Sequence, residues 1–91
     1  MAIAEFVTIK KIVEEKLKKR ELDEAAYNIY LTAAKQAEQI MATHLDQPGY
    51  TPEDMKVFLL KVYRGLKVCA MQQRNAQLIK DYNTKIAVLG G

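Results

Sequence analysis

The stretch PEDMKVFLLKVYRGLKVCAMQQRNAQLIKDY, residues 52–82, predicts one long amphipathic helix and decides the fold class. When each residue is placed about 100° on from the last, its apolar residues fall into two stripes on nearly opposite sides. The first stripe consists of Met55, Phe58, Leu59, Val62, Leu66, Cys69 and Ala70, and the second of Val57, Leu60, Val68, Met71 and Leu78. Since a helix at the edge of a small bundle needs one apolar stripe, the second must meet more of this chain, a second copy or another protein.

Two breaks divide the rest of the chain. Before the long helix, Pro48-Gly49 is typical of a turn, and Thr51 followed by Pro52 is a strong helix start. The earlier break lies at 18–23, where Asp23 is suited to cap a new helix. The sequence therefore predicts an all-α fold, an antiparallel three-helix bundle with helices at about 3–19, 24–46 and 52–82, in a single domain of residues 1–91.

The predicted third helix is longer than the second helix, which could therefore pack along only part of it. If unbroken it measures about 45 Å, against about 35 Å for the second helix. The extra length of the third helix either extends beyond the bundle, bends near Arg74-Asn75 or packs on a partner. Within the same helix, Gly65 is expected to allow a close crossing with another helix, because a mid-helix glycine is otherwise unfavourable.

Composition narrows the classes of function. With 91 residues, 49% apolar and 27% charged, the chain is expected to form a folded domain. Its net charge of +3 suits an acidic partner, but nucleic acid is disfavoured because the lysines of the first helix alternate with glutamates. The sequence contains no apolar run long enough for a transmembrane segment and begins without a signal-peptide layout. These features predict a cytoplasmic protein.

No residue constellation points to catalysis. His44 is the only histidine and Cys69 the only cysteine, so pairs or clusters built from these residue types are excluded. The acidic residues are dispersed, and no glycine loop suited to a phosphate is present. We therefore expect a protein that is not an enzyme and that uses no cofactor and no metal.

Residues 23–34, DEAAYNIYLTAA, resemble the second helix of microtubule-interacting and trafficking (MIT) domains and the related tetratricopeptide helix pair. Those families share an acidic residue followed by Ala-apolar-x-apolar-Tyr-x-x-Ala. The matching positions here are Ala26, Tyr27, Ile29, Tyr30 and Ala33. The third helix lacks the Tyr-Leu-x-Arg-Ala-Glu-x-Leu-Lys ending that is common in MIT domains.

The resemblance implies a three-helix bundle that docks a helical or extended tail segment of an ESCRT-III-type protein. Docking would use a groove beside helix 3, between it and helix 2 or helix 1. The second stripe suits such a groove, and the basic residues around it suit acidic residues on the incoming segment. The expected function is thus a non-catalytic protein–protein interaction module. Its candidate partner-binding residues are Val57, Leu60, Arg64, Lys67, Val68, Met71 and Leu78.

Two alternatives stay open at this point. In one, the chain is a structural homodimer in which two copies of helix 3 pack together. In the other, it is a small nucleic-acid-associated regulator that uses the basic residues of helix 1. The oligomeric state separates the first alternative from a monomeric binding module, and binding at low salt tests the second.

Overall fold

The computed structural model describes residues 3–91 and contains four α-helices over that range. They are α1 (Ile3–Lys18), α2 (Glu24–Ala42), α3 (Pro52–Gln72) and α4 (Ala76–Val88). Since no strand occurs among residues 3–91, the all-α prediction is confirmed. The prediction of three helices is wrong, because the stretch 52–82 is divided between α3 and α4. The first two residues of the predicted domain lie outside the described residues.

The break between α3 and α4 comes from backbone capping rather than from glycine or proline. Arg74 adopts a left-handed conformation, φ 55°, directly after the last turn of α3. The amide of Asn75 then donates to the carbonyl of Ala70 at 3.0 Å, and that of Arg74 donates to Met71 at 3.1 Å. This is the Schellman arrangement that closes many helices, usually with glycine in the left-handed position. The Asn75 side chain begins α4 by accepting a hydrogen bond from the amide of Leu78, at 3.1 Å.

The other helix ends follow the side-chain chemistry more closely. Thr51 and Asp54 form a capping box at the start of α3, and Asp23 caps α2. The second helix ends at Ala42, four residues before the predicted limit, because His44 takes a left-handed conformation, φ 51°. The first helix is one residue shorter than predicted, ending at Lys18.

The core lies around α3, which contacts each of the other three helices and packs most extensively against α2. The whole first stripe of α3 is buried, as the apolar spacing predicted. It packs against the alanine-rich side of α2, whose small residues allow the two helices to approach closely. On the other side, Phe6 of α1 packs edge-on against Phe58 with ring centroids 5.3 Å apart. The alanines of α2 and the ring of Phe6 on α1 thus place α3 at the centre of the domain.

The fourth helix lies along α3 and is held by aromatic and polar side chains. Tyr82 is its buried residue, and its ring stacks on Tyr63 of α3 at 6.4 Å. The hydroxyl of Tyr82 is hydrogen-bonded to that of Tyr27 on α2, at 3.1 Å. Lys85 pairs with Glu38 of α2 at 3.5 Å, and Glu38 also accepts a hydrogen bond from the hydroxyl of Tyr63. Side chains therefore connect α4 to α2, whereas the α4 backbone approaches only α3.

Two valines of α3 test the division between core and surface. Val62 is fully buried, whereas Val57 is 50% exposed. We expect Val62→Ala to lower the free energy of unfolding by about 1–2 kcal/mol, since it removes buried apolar atoms and leaves a cavity. The matched Val57→Ala change is expected to stay within about 0.5 kcal/mol of wild type. Urea denaturation measures both, and equal losses would contradict the placement of the two stripes.

Tyr30 makes the stability of the fold depend on pH in the alkaline range. Its side chain is fully buried and its hydroxyl donates to the carbonyl of Glu21, at the turn between α1 and α2. Burial raises the pKa of Tyr30 to about 12, above the value of about 10 expected in the unfolded chain. Because the unfolded chain gives up this proton first, stability is expected to fall as the pH rises from about 10 to about 12.

The check is the urea midpoint measured at several pH values across this range. The Tyr30→Phe variant should lose stability less steeply, although burial also raises the pKa of Tyr63 and Tyr82 and these tyrosines contribute in the same direction. Identical slopes for wild type and variant would refute the assignment to Tyr30.

Candidate functional site

The part of α3 that no other helix covers lies between α1 and α4, and we call it the α3 face. It consists of Val57, Lys61, Arg64, Val68 and Met71, all of them exposed. Successive members are separated by four, three, four and three residues, so that they form a single line along the helix. A mean spacing of 3.5 residues is the pattern by which one helix packs against another in a coiled coil. The α3 face therefore has the periodicity of a helix-packing seam without a helix packed on it.

Three of the five members are apolar and substantially accessible. Val57 is 50% exposed, Val68 39% and Met71 53%. Single exposed apolar residues are common on protein surfaces, but three on one helical line are less so. They lie at the two ends of the seam, with the charged residues between them. The α3 face thus has apolar ends and a basic middle.

The first helix forms one wall beside this face. Gly65 permits the close approach of α1, because a Cβ at this position would lie 2.8 Å from Cδ2 of Leu17. The expectation that Gly65 marks a close helix crossing is therefore confirmed. Beside the crossing is a groove of about 400 Å³, lined by Glu14, Leu17, Lys18, Phe58, Lys61 and Arg64. The groove opens onto the basic middle of the α3 face.

The segment that follows α4 forms the opposite wall. Gly91 lies against Leu60, since a Cβ added at Gly91 would be 2.5 Å from Cδ2 of that leucine. The same Cβ would lie 3.4 Å from Nη2 of Arg64. Leu60 is therefore only partly exposed, and Lys67, seven residues further along the same side of α3, is also partly covered. The predicted second stripe is thus divided into a covered edge and an open line.

The structure separates the predicted partner-binding residues into three groups. Val57, Arg64, Val68 and Met71 lie together on the α3 face. Leu60 and Lys67 border that face on the side of α4. Leu78 does not lie on α3, because the helix ends at Gln72, and it packs against the core from α4 instead. Its inclusion in the second stripe was wrong for this reason.

The structure adds basic residues that the sequence did not single out as site members. Lys61 stands at the margin of the second stripe in sequence and lies in the middle of the α3 face. Lys18 of α1 lines the same groove beside Leu17. Among residues 3–91, neither Lys61 nor Arg64 forms an ion pair. Glu14, the acidic residue of the groove, is paired with Lys10 at 2.9 Å.

Cys69, Tyr63 and Tyr82 are built into the packing of the helices. The thiol of Cys69 is buried and donates to the carbonyl of Leu22 at 3.6 Å, and burial raises its pKa, so it stays protonated at neutral pH. Burial likewise raises the pKa of Tyr63 and of Tyr82. Between α2, α3 and α4 these tyrosines border a cleft of about 190 Å³, where Lys85 and Glu38 are paired. These contacts hold α4 in place.

Two kinds of feature are absent from the described part of the chain. Residues 3–91 contain no group of three His, Cys, Asp or Glu side chains arranged to hold a metal ion. None of the four helices in that range combines the length and apolarity needed to cross a membrane.

Comparison of the chain with known protein families, curated proteins and solved structures finds no match. The resemblance of residues 23–34 to MIT domains therefore stays a prediction.

Thiol reactivity checks the exposure of the α3 face. Cysteine is introduced at Val57, at Met71 or at Leu60, each in a Cys69→Ala background. We expect Val57→Cys and Met71→Cys to react with a thiol reagent faster than the other two thiols, because the native side chains there are 50% and 53% exposed. Leu60→Cys should react more slowly because Gly91 shields it, and Cys69 of the wild type slowest of all.

All these thiols should react alike in denaturant, which serves as the control. Equal rates for positions 57 and 60 in the folded protein would show that the segment after α4 leaves Leu60 uncovered, against the wall described above.

Proposed function

We propose that this chain is a non-catalytic interaction module whose α3 face docks an amphipathic helical segment of a partner protein. The observation that supports it is the open seam of Val57, Lys61, Arg64, Val68 and Met71. This seam has helix-packing periodicity, and its two cations form no ion pair within the described range 3–91. We place this module in the cytoplasm, in keeping with the composition of the chain.

The periodicity favours a helical over an extended partner segment. A helix laid in a left-handed crossing along α3 meets residues at intervals of three and four, which are the intervals of the α3 face. An extended strand presents side chains at every second residue and would find no matching sequence of contacts. The exposed apolar residues at the two ends would each receive an apolar side chain, as in other helix-in-groove complexes.

The charges define the middle of the partner segment. Lys61 and Arg64 are adjacent members of the line, and Lys18 reaches the same groove from α1. Carboxylates on the incoming helix would face these cations, which sets the register and speeds association at low salt. The expected partner is therefore a helix with apolar residues towards both ends of its seam and Glu or Asp at the two seam positions that face Lys61 and Arg64.

The same charges argue against the homodimer through helix 3. In a two-fold symmetric pair the same patch is used on both copies. Arg64 is the central member of the five, so an antiparallel pair of α3 faces would place Arg64 opposite Arg64. A parallel pair would place Lys61 opposite Lys61 and Arg64 opposite Arg64. Like charges facing each other across an interface are costly. The α3 face is thus better suited to an acidic partner than to a second α3 face.

The nucleic-acid alternative is weakened by pairing on α1. Two lysines of α1 and the lysine that follows it are engaged with glutamates, namely Lys10 with Glu14, Lys16 with Glu21 and Lys19 with Glu15. A phosphate backbone would have to compete with each of these carboxylates. The basic residues of α1 therefore do not form the unbroken cationic strip that nucleic acid prefers.

The proposal refines what the resemblance to MIT domains implies. That family docks its partners beside helix 3, towards helix 2 or helix 1. Here α4 lies along α3 and its side chains reach α2, so the open side is the one towards α1. A tail segment of an ESCRT-III-type protein that forms an acidic amphipathic helix is accordingly one candidate partner.

A pair of designed helical peptides tests the proposed function. The first carries Leu, Glu, Glu, Leu, Leu along a seam of 3.5-residue spacing, and the second has Lys in place of both Glu residues. We expect the acidic peptide alone to bind wild-type protein in isothermal titration calorimetry. The double variant Lys61→Glu and Arg64→Glu should bind the acidic peptide at least about tenfold more weakly and bind the basic peptide instead.

The matched control changes the same number of charges elsewhere, with Lys35→Glu and Lys80→Glu on α2 and α4. This control should retain the preference of the wild type, and far-UV circular dichroism should show that all variants stay helical. Loss of binding in the control as large as in the α3 face variant would contradict docking on that face. So would equal binding of both peptides to the wild type.

A further inference from the structure

The connection between α3 and α4 is short and conformationally costly. Three residues, Gln73, Arg74 and Asn75, reverse the direction of the chain between the two helices. Arg74 carries the reversal with φ 55°, a left-handed conformation that costs free energy for a residue with a Cβ. Glycine would adopt it freely, but no glycine is present at the connection.

The same three residues are compatible with an uninterrupted helix. The sequence from Ala70 to Leu78 reads AMQQRNAQL and contains neither glycine nor proline, and most of its residues favour helix. Periodicity alone predicts one helix across 52–82. The bent connection is therefore in competition with a straight one in which Arg74 is helical and α3 continues into α4.

A straight connection would remove α4 from its own chain. Its 13 residues would extend about 20 Å beyond the end of α3, since each residue of a helix adds about 1.5 Å. Tyr82 would then lose its stacking on Tyr63 and its hydrogen bond to Tyr27. The cleft between α2 and α3 and the apolar side of α4 would both become exposed.

We propose that two copies of this chain exchange α4. In each copy α3 and α4 straighten into one helix, and α4 then occupies the position along α3 of the other copy. The partner is a second copy because the side chains that receive α4, Tyr27, Glu38 and Tyr63, are identical there. The exchange re-forms the packing of α4 on the other copy and relieves the left-handed Arg74 in both copies, whereas the loss of the Asn75 cap and the entropy of association oppose it.

This exchange is independent of the docking function of the α3 face. The contacts exchanged lie on the sides of α3 and α2 that face α4, whereas the residues of the α3 face lie between α1 and α4 and are exposed. The segment that covers Leu60 would come from the other copy, and the seam itself would stay open in the dimer.

Variants at the connection shift the monomer–dimer equilibrium in opposite directions. Asn75→Ala removes the side chain that begins α4 and favours a continuous helix, so we expect the dimer association constant to rise at least about tenfold. Arg74→Gly favours the left-handed turn and disfavours the straight helix, so we expect it to fall by a similar factor. Sedimentation equilibrium of the wild type and both variants, up to their solubility limits, measures the constants.

The matched control is Arg20→Gly. Arg20 is also left-handed, φ 56°, and ends α1 with the same hydrogen-bond pattern, in which Glu21 donates to Lys16 at 2.9 Å. This change should relieve a comparable turn without altering the α3–α4 connection, so the association constant should stay at the wild-type value. A change equal to that of Arg74→Gly would overturn the assignment to the connection.

Distances distinguish exchange from ordinary dimerisation. Spin labels are attached to Val57→Cys and Val88→Cys in a Cys69→Ala background, and the labelled chain is diluted into excess unlabelled protein. In the monomer the end of α4 lies near the start of α3, since a Cβ added at Gly90 would lie 4.0 Å from Nζ of Lys56. In an exchanged dimer the two labels of one chain should be about 45 Å apart.

A dimer in which this distance stays short would overturn the proposal, because α4 would then remain on its own chain. So would the absence of dimer for the wild type and for Asn75→Ala at the highest concentrations reached.

Discussion

The burial of one side of α3 is the constraint from which the rest of the structure follows. Its first stripe, from Met55 to Ala70, is enclosed by α2 with contributions from α1 and α4. The alanines of α2 make this close packing possible because they add little volume at the helix contact. Each other helix is positioned by how it reaches α3: α1 through Phe6 and Leu17, and α4 through Tyr82.

This arrangement also determines what stays open. A helix with three neighbours still has one uncovered strip, and here that strip is the line from Val57 to Met71. Among residues 3–91, its apolar ends and its unpaired Lys61 and Arg64 have no role in the packing described above. The proposed interaction thus rests on one surface with a definite chemical character. A partner that complements both the spacing and the charge would bury the exposed valines and methionine without leaving a cation unpaired.

The position of α4 shows how a single backbone conformation changes a surface. With Arg74 in the left-handed region, α4 lies along α3 and the segment after α4 covers Leu60, so only three of the five residues of the second stripe are exposed. With Arg74 helical, the same residues would form one long helix with both stripes in need of a partner. The local preference of residues 70–78 and the tertiary contacts of Tyr82 therefore favour different structures. In the monomer the tertiary contacts prevail, because they bury an aromatic ring and satisfy its hydroxyl.

The sequence by itself determined the helical class, the start of α3 at Thr51 and Pro52, the buried first stripe and the close crossing at Gly65, since each depends on local chemistry or on helical periodicity. Four of the seven predicted site residues also lie together on the α3 face, because a single helix positions them. Only the tertiary structure decided that the helix ends at Gln72, that Leu78 turns to the core, and that Lys18 joins Lys61 beside the α3 face. The physical reason is that the turn at Arg74 is stabilised by the distant contacts of α4, and that the position of Lys18 beside Lys61 depends on how α1 packs against α3.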